Sequence, residues 1–221
     1  MRTTSDELSI QQLNRNELTE IKKELKLQAT VLGGTVTTLW ALELVDVFLL
    51  NQGLNAWGLV PGKLTGLIGL ITAPFLHGGL LHLIGNTVPF LIFSWLIMLR
   101  DNREWAAVTG ISALTSGLGT WLLGLVGLAP AIPHVGASGV IFGYFGYLLT
   151  VGLFERKFGA VMLSLFVGLT WGSLVFGMVP GLVPPFVSWQ MHLFGFLGGG
   201  LTAWLLNSRS GKKEARRLLT S

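Results

Sequence analysis

Four polar side chains in a strongly apolar chain have the types and spacing that could carry out a hydrolytic reaction. Ser138 occurs in Gly136-Ala-Ser-Gly139, where a short loop becomes an uncharged, hydrophobic helix. The backbone N–H groups at a helix N-terminus lack intrahelical acceptors, and the helix dipole there favours negative charge. A serine nucleophile and its oxyanion intermediate need both features. Because serine is also a common N-cap, a simple helix cap is the competing interpretation.

The other three polar side chains are the candidate base, His192, and the pair His82 and Asn86. His82 and Asn86 are four residues apart, so on a helix they share one face. Counting residues within the predicted helices places all three at a depth similar to that of Ser138, on the same side of a membrane. Histidine and asparagine are costly in hydrocarbon unless they face protein, water or a partner.

The composition predicts a membrane protein that crosses the bilayer several times. Hydrophobic residues make up 51% of the chain and charged residues only 12%, whereas a soluble domain carries about 25% charged residues. No formal charge occurs between Lys63 and Arg100, between Glu104 and Glu155, or between Lys157 and Arg209. A transmembrane helix needs about 20 apolar residues, so each of the last two gaps can hold two of them.

The predicted fold is all-α, with six transmembrane helices and a long interfacial loop after the first. The predicted spans are 27–50, 78–99, 105–128, 138–154, 158–179 and 189–206. An N-terminal tail (1–27) and a basic C-terminal tail (207–221) then flank a six-span core (28–206). Lys63 is the only lysine or arginine on the side opposite the termini. The positive-inside rule therefore predicts cytoplasmic termini and a Ser138 that is reached from outside.

Composition also argues against several other functions. The chain has no cysteine, so it has no disulfide, thiolate metal site or cysteine nucleophile. Its pI of about 9.7 could indicate nucleic acid, but the basic residues flank apolar runs, where anionic lipid headgroups explain them better. We therefore expect no nucleic-acid partner. We expect a location in a prokaryotic plasma (inner) membrane, with the first span retained because no cleavable signal pattern precedes it.

Small residues predict which helices touch. Gly139, Gly143 and Gly146 recur along the fourth span, and Gly195 and Gly199 follow His192 on the sixth. Such spacing lets membrane helices approach closely, so a hydrogen bond between the histidine and Ser138 is plausible. Tight packing, with the histidine bonded to a backbone carbonyl, is the alternative.

The quoted motifs also resemble a known family. Gly136-Ala-Ser-Gly139, His82-Leu-Ile-Gly-Asn86 and His192-Leu-Phe-Gly195 with Gly199 look like the three signatures of rhomboid intramembrane serine proteases, in the family's order on spans two, four and six. The resemblance covers residues 30–206.

The resemblance implies a serine–histidine dyad without a carboxylate, a metal or a cofactor. Ser138 would be the nucleophile and His192 the general base and acid. The Ser138 backbone N–H and the side chains of Asn86 and His82 would bind the oxyanion. Supporting packing would come from Gly136, Gly139, Phe142, Gly195 and Gly199. The substrates would be transmembrane segments in the lipid bilayer, cleaved near their extracytoplasmic end, and the loop Pro180–Ser188 would cover the site.

Two departures from the family pattern stand out. The first external loop lacks the family's aromatic–arginine pair, since the aligned region is Ile68-Gly69, and Phe142 stands where well-known members have tyrosine. His77 matches a recurring position that we expect to anchor a loop. Glu43 and Asp46 on the first span are functional candidates because they are intramembrane carboxylates, although bonding to the following loop or contact with water is the simpler expectation.

Two other hypotheses remain open. One is a catalytically inactive rhomboid-like protein that binds membrane helices. The other is a transporter or metal-binding protein that uses His77, His82, His134 and His192. Histidine without thiolates or suitably placed carboxylates makes a poor structural metal site.

Overall fold

The computed structural model describes residues 4–218, and their side chains from residue 15 to residue 208. Within that range the helices are α1 (Thr4–Leu49), α2 (Gly69–Thr72), α3 (Leu80–Met98), α4 (Asn102–Leu125), α5 (Ser138–Glu155), α6 (Phe158–Trp171) and α7 (Trp189–Leu218). Short 3₁₀ turns occupy Gly53–Trp57, Leu64–Ile68, Ala73–Phe75 and Gly172–Met178. Residues 4–218 contain no β-strand, only an isolated bridge between Leu59 and His134.

The predicted all-α polytopic membrane fold is confirmed. In the described part of the chain, five helical segments are long and apolar enough to cross a membrane: Arg15–Leu49, Leu80–Met98, Asn102–Leu125, Ser138–Glu155 and Phe158–Met178. The sixth predicted span is the first part of α7. Four glycines together with Gln190 and His192 lower the mean hydropathy of this segment, yet it packs inside the bundle against α5 and α4.

Several helices extend beyond the predicted spans. The first predicted span begins near residue 27, whereas α1 begins at Thr4, because the polar stretch before the apolar run is rich in good helix formers and contains no glycine or proline. α7 likewise continues to Leu218. The tails predicted at 1–27 and 207–221 lie partly outside the described residues, which exclude 1–3 and 219–221 and the side chains of 1–14 and 209–221.

Contacts divide the chain into two units at Thr37. The first unit ends at Thr37 and is helical from Thr4, whereas the second begins at Thr38 and contains the bundle. At one end of the bundle, Arg100 bonds Glu104 at 3.2 Å and Glu155 at 2.5 Å. The α3–α4 turn is therefore fastened to the end of α5.

α5 is the central helix of the bundle. It packs against α7, α6, α4 and α3, and every residue from Gly139 to Leu148 is buried. A helix that is apolar on all sides lies in a protein core or in a membrane. α5 meets both conditions, and its single formal charge, Glu155, is its last residue.

The predicted glycine-mediated contact between α5 and α7 is confirmed. A Cβ added to Gly195 would lie 1.9 Å from the Gly139 carbonyl oxygen, and one added to Gly199 would lie 1.8 Å from the Gly143 oxygen. No other residue type fits at these positions without moving the helices apart. The contact brings the start of α7 against the start of α5.

Candidate active site

Ser138 is the first residue of α5 and follows a loop that is held in place by backbone hydrogen bonds. The segment from residue 50 to residue 79, here called the first loop, supplies the partners. Leu59 and His134 exchange two backbone hydrogen bonds of 2.9 and 2.7 Å, and the Gly136 N–H donates to the Ala73 oxygen at 2.9 Å. Since Ser138 begins the helix, its backbone N–H is a first-turn donor without an intrahelical acceptor.

His192 lies one turn into α7 and contacts Ser138. Its Nε2 is 2.9 Å from Ser138 Oγ, and its Nδ1 is 2.8 Å from the Gly177 carbonyl oxygen. A carbonyl can only accept, so a neutral imidazole carries its proton on Nδ1 and presents the Nε2 lone pair to the hydroxyl. The two sequence interpretations of His192 are therefore both realised, because one ring nitrogen meets a backbone carbonyl and the other meets Ser138.

Phe142 lies against the face of the His192 ring. The ring centroids are 4.0 Å apart and the planes are inclined by 6°. Because Phe142 is one helical turn after Ser138 on α5, the same helix positions both the hydroxyl and the surface on which the imidazole rests. The substitution of phenylalanine for tyrosine thus keeps the stacking contact.

His82 and Asn86, on α3, lie beside Gly136, two residues before Ser138. A Cβ added to Gly136 would lie 2.9 Å from His82 Nε2 and 3.6 Å from Asn86 Nδ2. Asn86 is buried, and its Nδ2 has no hydrogen-bond partner among the described side chains. A buried donor without an acceptor is costly unless something else fills its place. The His82 ring and the Asn86 amide therefore both lie close to Gly136, two residues before Ser138.

The ring of His82 is oriented by the backbone. The Gly78 N–H donates to His82 Nδ1 at 3.3 Å, so the neutral ring carries its proton on Nε2. That N–H is the one on the Gly136 side. The arrangement can therefore offer two side-chain donors, one from His82 and one from Asn86, to an anionic oxygen near Ser138.

His77 occupies the position expected of a loop anchor. It is fully buried, its ring lies edge-on to His82 with centroids 5.2 Å apart, and its Nε2 accepts from the Ala137 N–H at 3.5 Å. Burial, and after it the positive charge that His82 could carry, lowers the pKa of His77 to about 4. A neutral His77 is the form that can accept this bond near neutral pH.

The two carboxylates of α1 are both buried in the described structure. Asp46 Oδ1 accepts from the Leu54 N–H at 2.8 Å, so the expected bond to the following loop is confirmed for Asp46. Glu43 differs from Asp46, because its Oε1 is buried without a hydrogen-bond partner among the described residues. Within the described residues, neither carboxylate forms a hydrogen bond with His192 or Ser138.

The loop Pro180–Ser188 connects the element that carries Gly177 to α7. Phe186 within it is 86% exposed. Ser188 at its end accepts the His192 N–H at 3.2 Å through its backbone oxygen and the Met191 N–H at 3.3 Å through its hydroxyl. Ser188 thus caps the start of α7, four positions before His192.

The sequence interpretation allowed for a backbone carbonyl beside His192, but it did not identify that carbonyl as the one of Gly177. Every residue type has a backbone carbonyl, so no pattern of polar side chains identifies this one. The glycine itself was the available signal. A Cβ at this position would lie 2.7 Å from Phe142 Cζ, so a larger residue would displace the ring that supports His192.

Comparisons with known proteins agree with these motifs. A protein-family model described as Rhomboid domain matches residues 64–209. An uncharacterized protein of Mycobacterium tuberculosis is 39% identical over 192 residues, which cover 84% of this chain and 80% of that protein. The Bacillus subtilis protein named "Putative rhomboid protease YdcA" is 31% identical over 150 residues, 66% of this chain and 69% of that protein. "RHOMBOID-like protein 6, mitochondrial" of Arabidopsis thaliana is 29% identical over 193 residues, 84% of this chain and 55% of that protein.

Proposed function

The chain belongs to the rhomboid family, and on this premise we propose that it is an intramembrane serine endopeptidase with a Ser138–His192 dyad. Family membership alone leaves two possibilities, an intramembrane protease or an inactive rhomboid-like protein. The observation that carries the proposal is the 2.9 Å contact between Ser138 Oγ and His192 Nε2, with the other ring nitrogen occupied by a carbonyl. An inactive relative has no need for a hydroxyl beside an unprotonated ring nitrogen.

The proposed reaction begins with Ser138 attacking the carbonyl carbon of the scissile peptide bond. As the Oγ–C bond forms, His192 Nε2 takes the hydroxyl proton, and Gly177 stabilises the resulting imidazolium by accepting from Nδ1–H. When the C–N bond breaks, Nε2 returns the proton to the leaving amine. Water then attacks the acyl-enzyme by the same route, which releases the acid and restores Ser138.

The negative oxygen of the tetrahedral intermediate is proposed to lie in the space beside Gly136. The donors are the Ser138 backbone N–H, Asn86 Nδ2 and His82 Nε2–H. The unpartnered state of Asn86 Nδ2 supports this assignment, because a fixed donor without an acceptor needs no reorganisation when charge develops. Glycine at position 136 lets the His82 ring lie close to this loop, because a Cβ there would be 2.8 Å from His82 Cε1.

The proposed substrates are single-span membrane proteins cleaved near their extracytoplasmic end. Proteins of this family act on transmembrane substrates within the lipid bilayer. We further propose that both termini are cytoplasmic, in agreement with the distribution of lysine and arginine. Ser138 then lies near the outer surface, and water reaches it past the Pro180–Ser188 loop, where Pro184, Pro185 and Phe186 would form a lid.

The experiment is cleavage of a model transmembrane substrate by purified protein in detergent and in vesicles, followed on gels. Ser138→Ala and His192→Ala are each expected to abolish cleavage. Product formation by Ser138→Ala at the wild-type rate would refute the mechanism. A fluorophosphonate probe tests the inactive alternative directly, because only an activated serine becomes labelled and an inactive relative stays dark.

A further inference from the structure

A cleft between α5 and α7 lies outside the proposed reaction. It has a volume of about 450 Å³ and is lined by Leu153, Phe154, Arg156, Trp204, Asn207 and Ser208. Ser138 and His192 are at the starts of the same two helices. At 1.5 Å per residue, the cleft is roughly 20 Å further along each helix, so it is separate from the candidate active site.

The apolar part of the cleft belongs to the outer surface of the bundle. Leu153 is 69% exposed and Trp204 is 51% exposed. Leu197 and Leu201 are also exposed and precede Trp204 by seven and three residues, so the three side chains share one face of α7. In a membrane protein such a face contacts lipid chains, and tryptophan is enriched where the hydrocarbon meets the headgroups. This face leads along α7 into the cleft.

Arg156 gives the cleft a positive charge. Its side chain is exposed, and within residues 15–208 the guanidinium forms no ion pair or hydrogen bond. The carboxylate before it, Glu155, is 2.5 Å from Nη2 of a different arginine, Arg100. Asn207 donates from Nδ2 to the Phe154 carbonyl oxygen, and the same amide nitrogen has a second proton. The cleft therefore combines a cation and an amide donor with an apolar wall.

The backbone of Arg156 is in an unusual conformation for an arginine. It ends α5 with a φ of 56° and a ψ of 17°, in the left-handed region. Glycine is the usual residue at such a helix end, because a side chain there is strained. Arginine at this position is therefore less favourable for the backbone than glycine, and strained residues of this kind concentrate at functional sites. The conformation supports a role for the guanidinium.

We propose that this cleft binds the headgroup of an anionic phospholipid. The lipid phosphate accepts hydrogen bonds from the Arg156 guanidinium and the Asn207 amide, and an acyl chain lies along Trp204 and Leu201. Arginine binds phosphate through paired N–H groups, and basic pockets between transmembrane helices bind acidic lipid headgroups. In the proposed orientation the lipid belongs to the cytoplasmic leaflet. A soluble phosphate would account for the arginine but not for the exposed apolar face.

The test places the full chain in phosphatidylcholine vesicles that contain a small fraction of one brominated lipid, either phosphatidylglycerol or phosphatidylcholine. Bromine on an acyl chain quenches tryptophan fluorescence on contact. The chain has 8 tryptophans, so the difference between the wild type and Trp204→Phe isolates the signal of Trp204. We expect half-maximal quenching of Trp204 at a roughly fivefold lower fraction of phosphatidylglycerol than of phosphatidylcholine. This ratio corresponds to about 1 kcal/mol, a typical value for one basic residue at an anionic membrane surface.

Arg156→Gly is the decisive variant, measured with and without Trp204→Phe. It removes the guanidinium and supplies the residue type that the left-handed backbone favours, so we expect it to fold. The preference of Trp204 for phosphatidylglycerol should disappear in Arg156→Gly and remain in Arg156→Lys, which keeps the charge. Arg103→Gln is the matched control, because Arg103 is exposed at the same end of the bundle but does not line the cleft.

Three results would overturn the proposal. The first is equal quenching of wild-type Trp204 by the two brominated lipids. The second is a preference that survives Arg156→Gly or falls equally in Arg103→Gln, since it would then come from the general positive charge of this surface. The third is displacement of brominated phosphatidylglycerol by an equal concentration of glycerol phosphate, which would assign the cleft to a soluble phosphate. None of these measurements uses cleavage, so they are independent of the protease function.

Discussion

The contact between α5 and α7 makes a quantitative prediction about Gly195→Ala. The added methyl would lie 1.9 Å from the Gly139 carbonyl oxygen, whereas ordinary contact begins at 3.4 Å. Both helices are rigid here and the obstacle is backbone, so the start of α7 must move away from α5 by about 1.5 Å, the difference between these two distances. Because His192 is one turn before Gly195, its Nε2 moves with the helix, and the 2.9 Å contact to Ser138 Oγ is lost.

The expected effect is on the chemical step. A displacement of about 1 Å of a catalytic group can cost on the order of 100-fold in rate, so we expect Gly195→Ala to lower kcat on a model transmembrane substrate by at least that factor. Fluorophosphonate labelling should slow in parallel, since it needs the same activated hydroxyl. Both assays are normalised to the folded, monodisperse fraction of the detergent-solubilised protein.

Gly200→Ala is the matched control on the same helix. Its added methyl would meet only the Thr150 side chain, at 3.7 Å, so we expect stability and kcat within about twofold of wild type, a range in which surface-like changes normally fall. A folded Gly195→Ala enzyme with a kcat within threefold of the wild type would show that the α5–α7 contact does not set the distance between Ser138 and His192.

Three further perturbations address other contacts of the site. Phe142→Ala removes the ring stacked on His192 and should lower kcat by roughly tenfold in the cleavage assay, whereas Phe142→Tyr, which keeps the stacking, should stay near wild type. Asn86→Ala removes a buried donor and should lower kcat by on the order of 10² with KM little changed; an unchanged kcat would remove Asn86 from the oxyanion site. The pKa of His77 is about 4 when folded and 6.5 as an ordinary histidine, so the unfolded state takes up a proton first as the pH falls, and stability drops from pH 6.5 towards pH 4. At pH 5 this difference in the pKa of His77 lowers the free energy of unfolding by about 2 kcal/mol relative to its value well above pH 6.5. Thermal unfolding of His77→Gln should therefore be less sensitive to pH in this range than that of the wild type.

The sequence predicted the parts of the structure that depend on side-chain polarity and size. Ser138, His192, His82 and Asn86 stood out because a polar side chain is costly in an apolar span, and the structure brings these four residues together. The α5–α7 contact could be predicted because glycine spacing reports directly on how closely two helices can approach.

The remaining features depend on backbone groups, which every residue type shares. The carbonyl of Gly177 and the N–H of Gly78 determine which nitrogen of His192 and of His82 carries a proton, yet neither belongs to a motif. The predicted span limits and the helix ends differ for a related reason. The boundary of the bilayer is visible in hydropathy, whereas α1 continues beyond it because its polar residues also favour helix.

The first loop shows how a site can be held without the family's aromatic–arginine pair. At Gly69, which aligns with that region, an added Cβ would lie 2.1 Å from the Leu59 backbone nitrogen, so two parts of the loop touch through their backbones. Leu59 in turn bonds His134, and Ala73 bonds Gly136. The loop that delivers Ser138 is thus fixed by hydrogen bonds between main-chain groups, which need close approach rather than particular side chains. In this chain Gly69 therefore supports the contact between the first loop and the loop before Ser138. A bulkier residue at position 69 should disturb Ser138, although the two positions are far apart in the sequence.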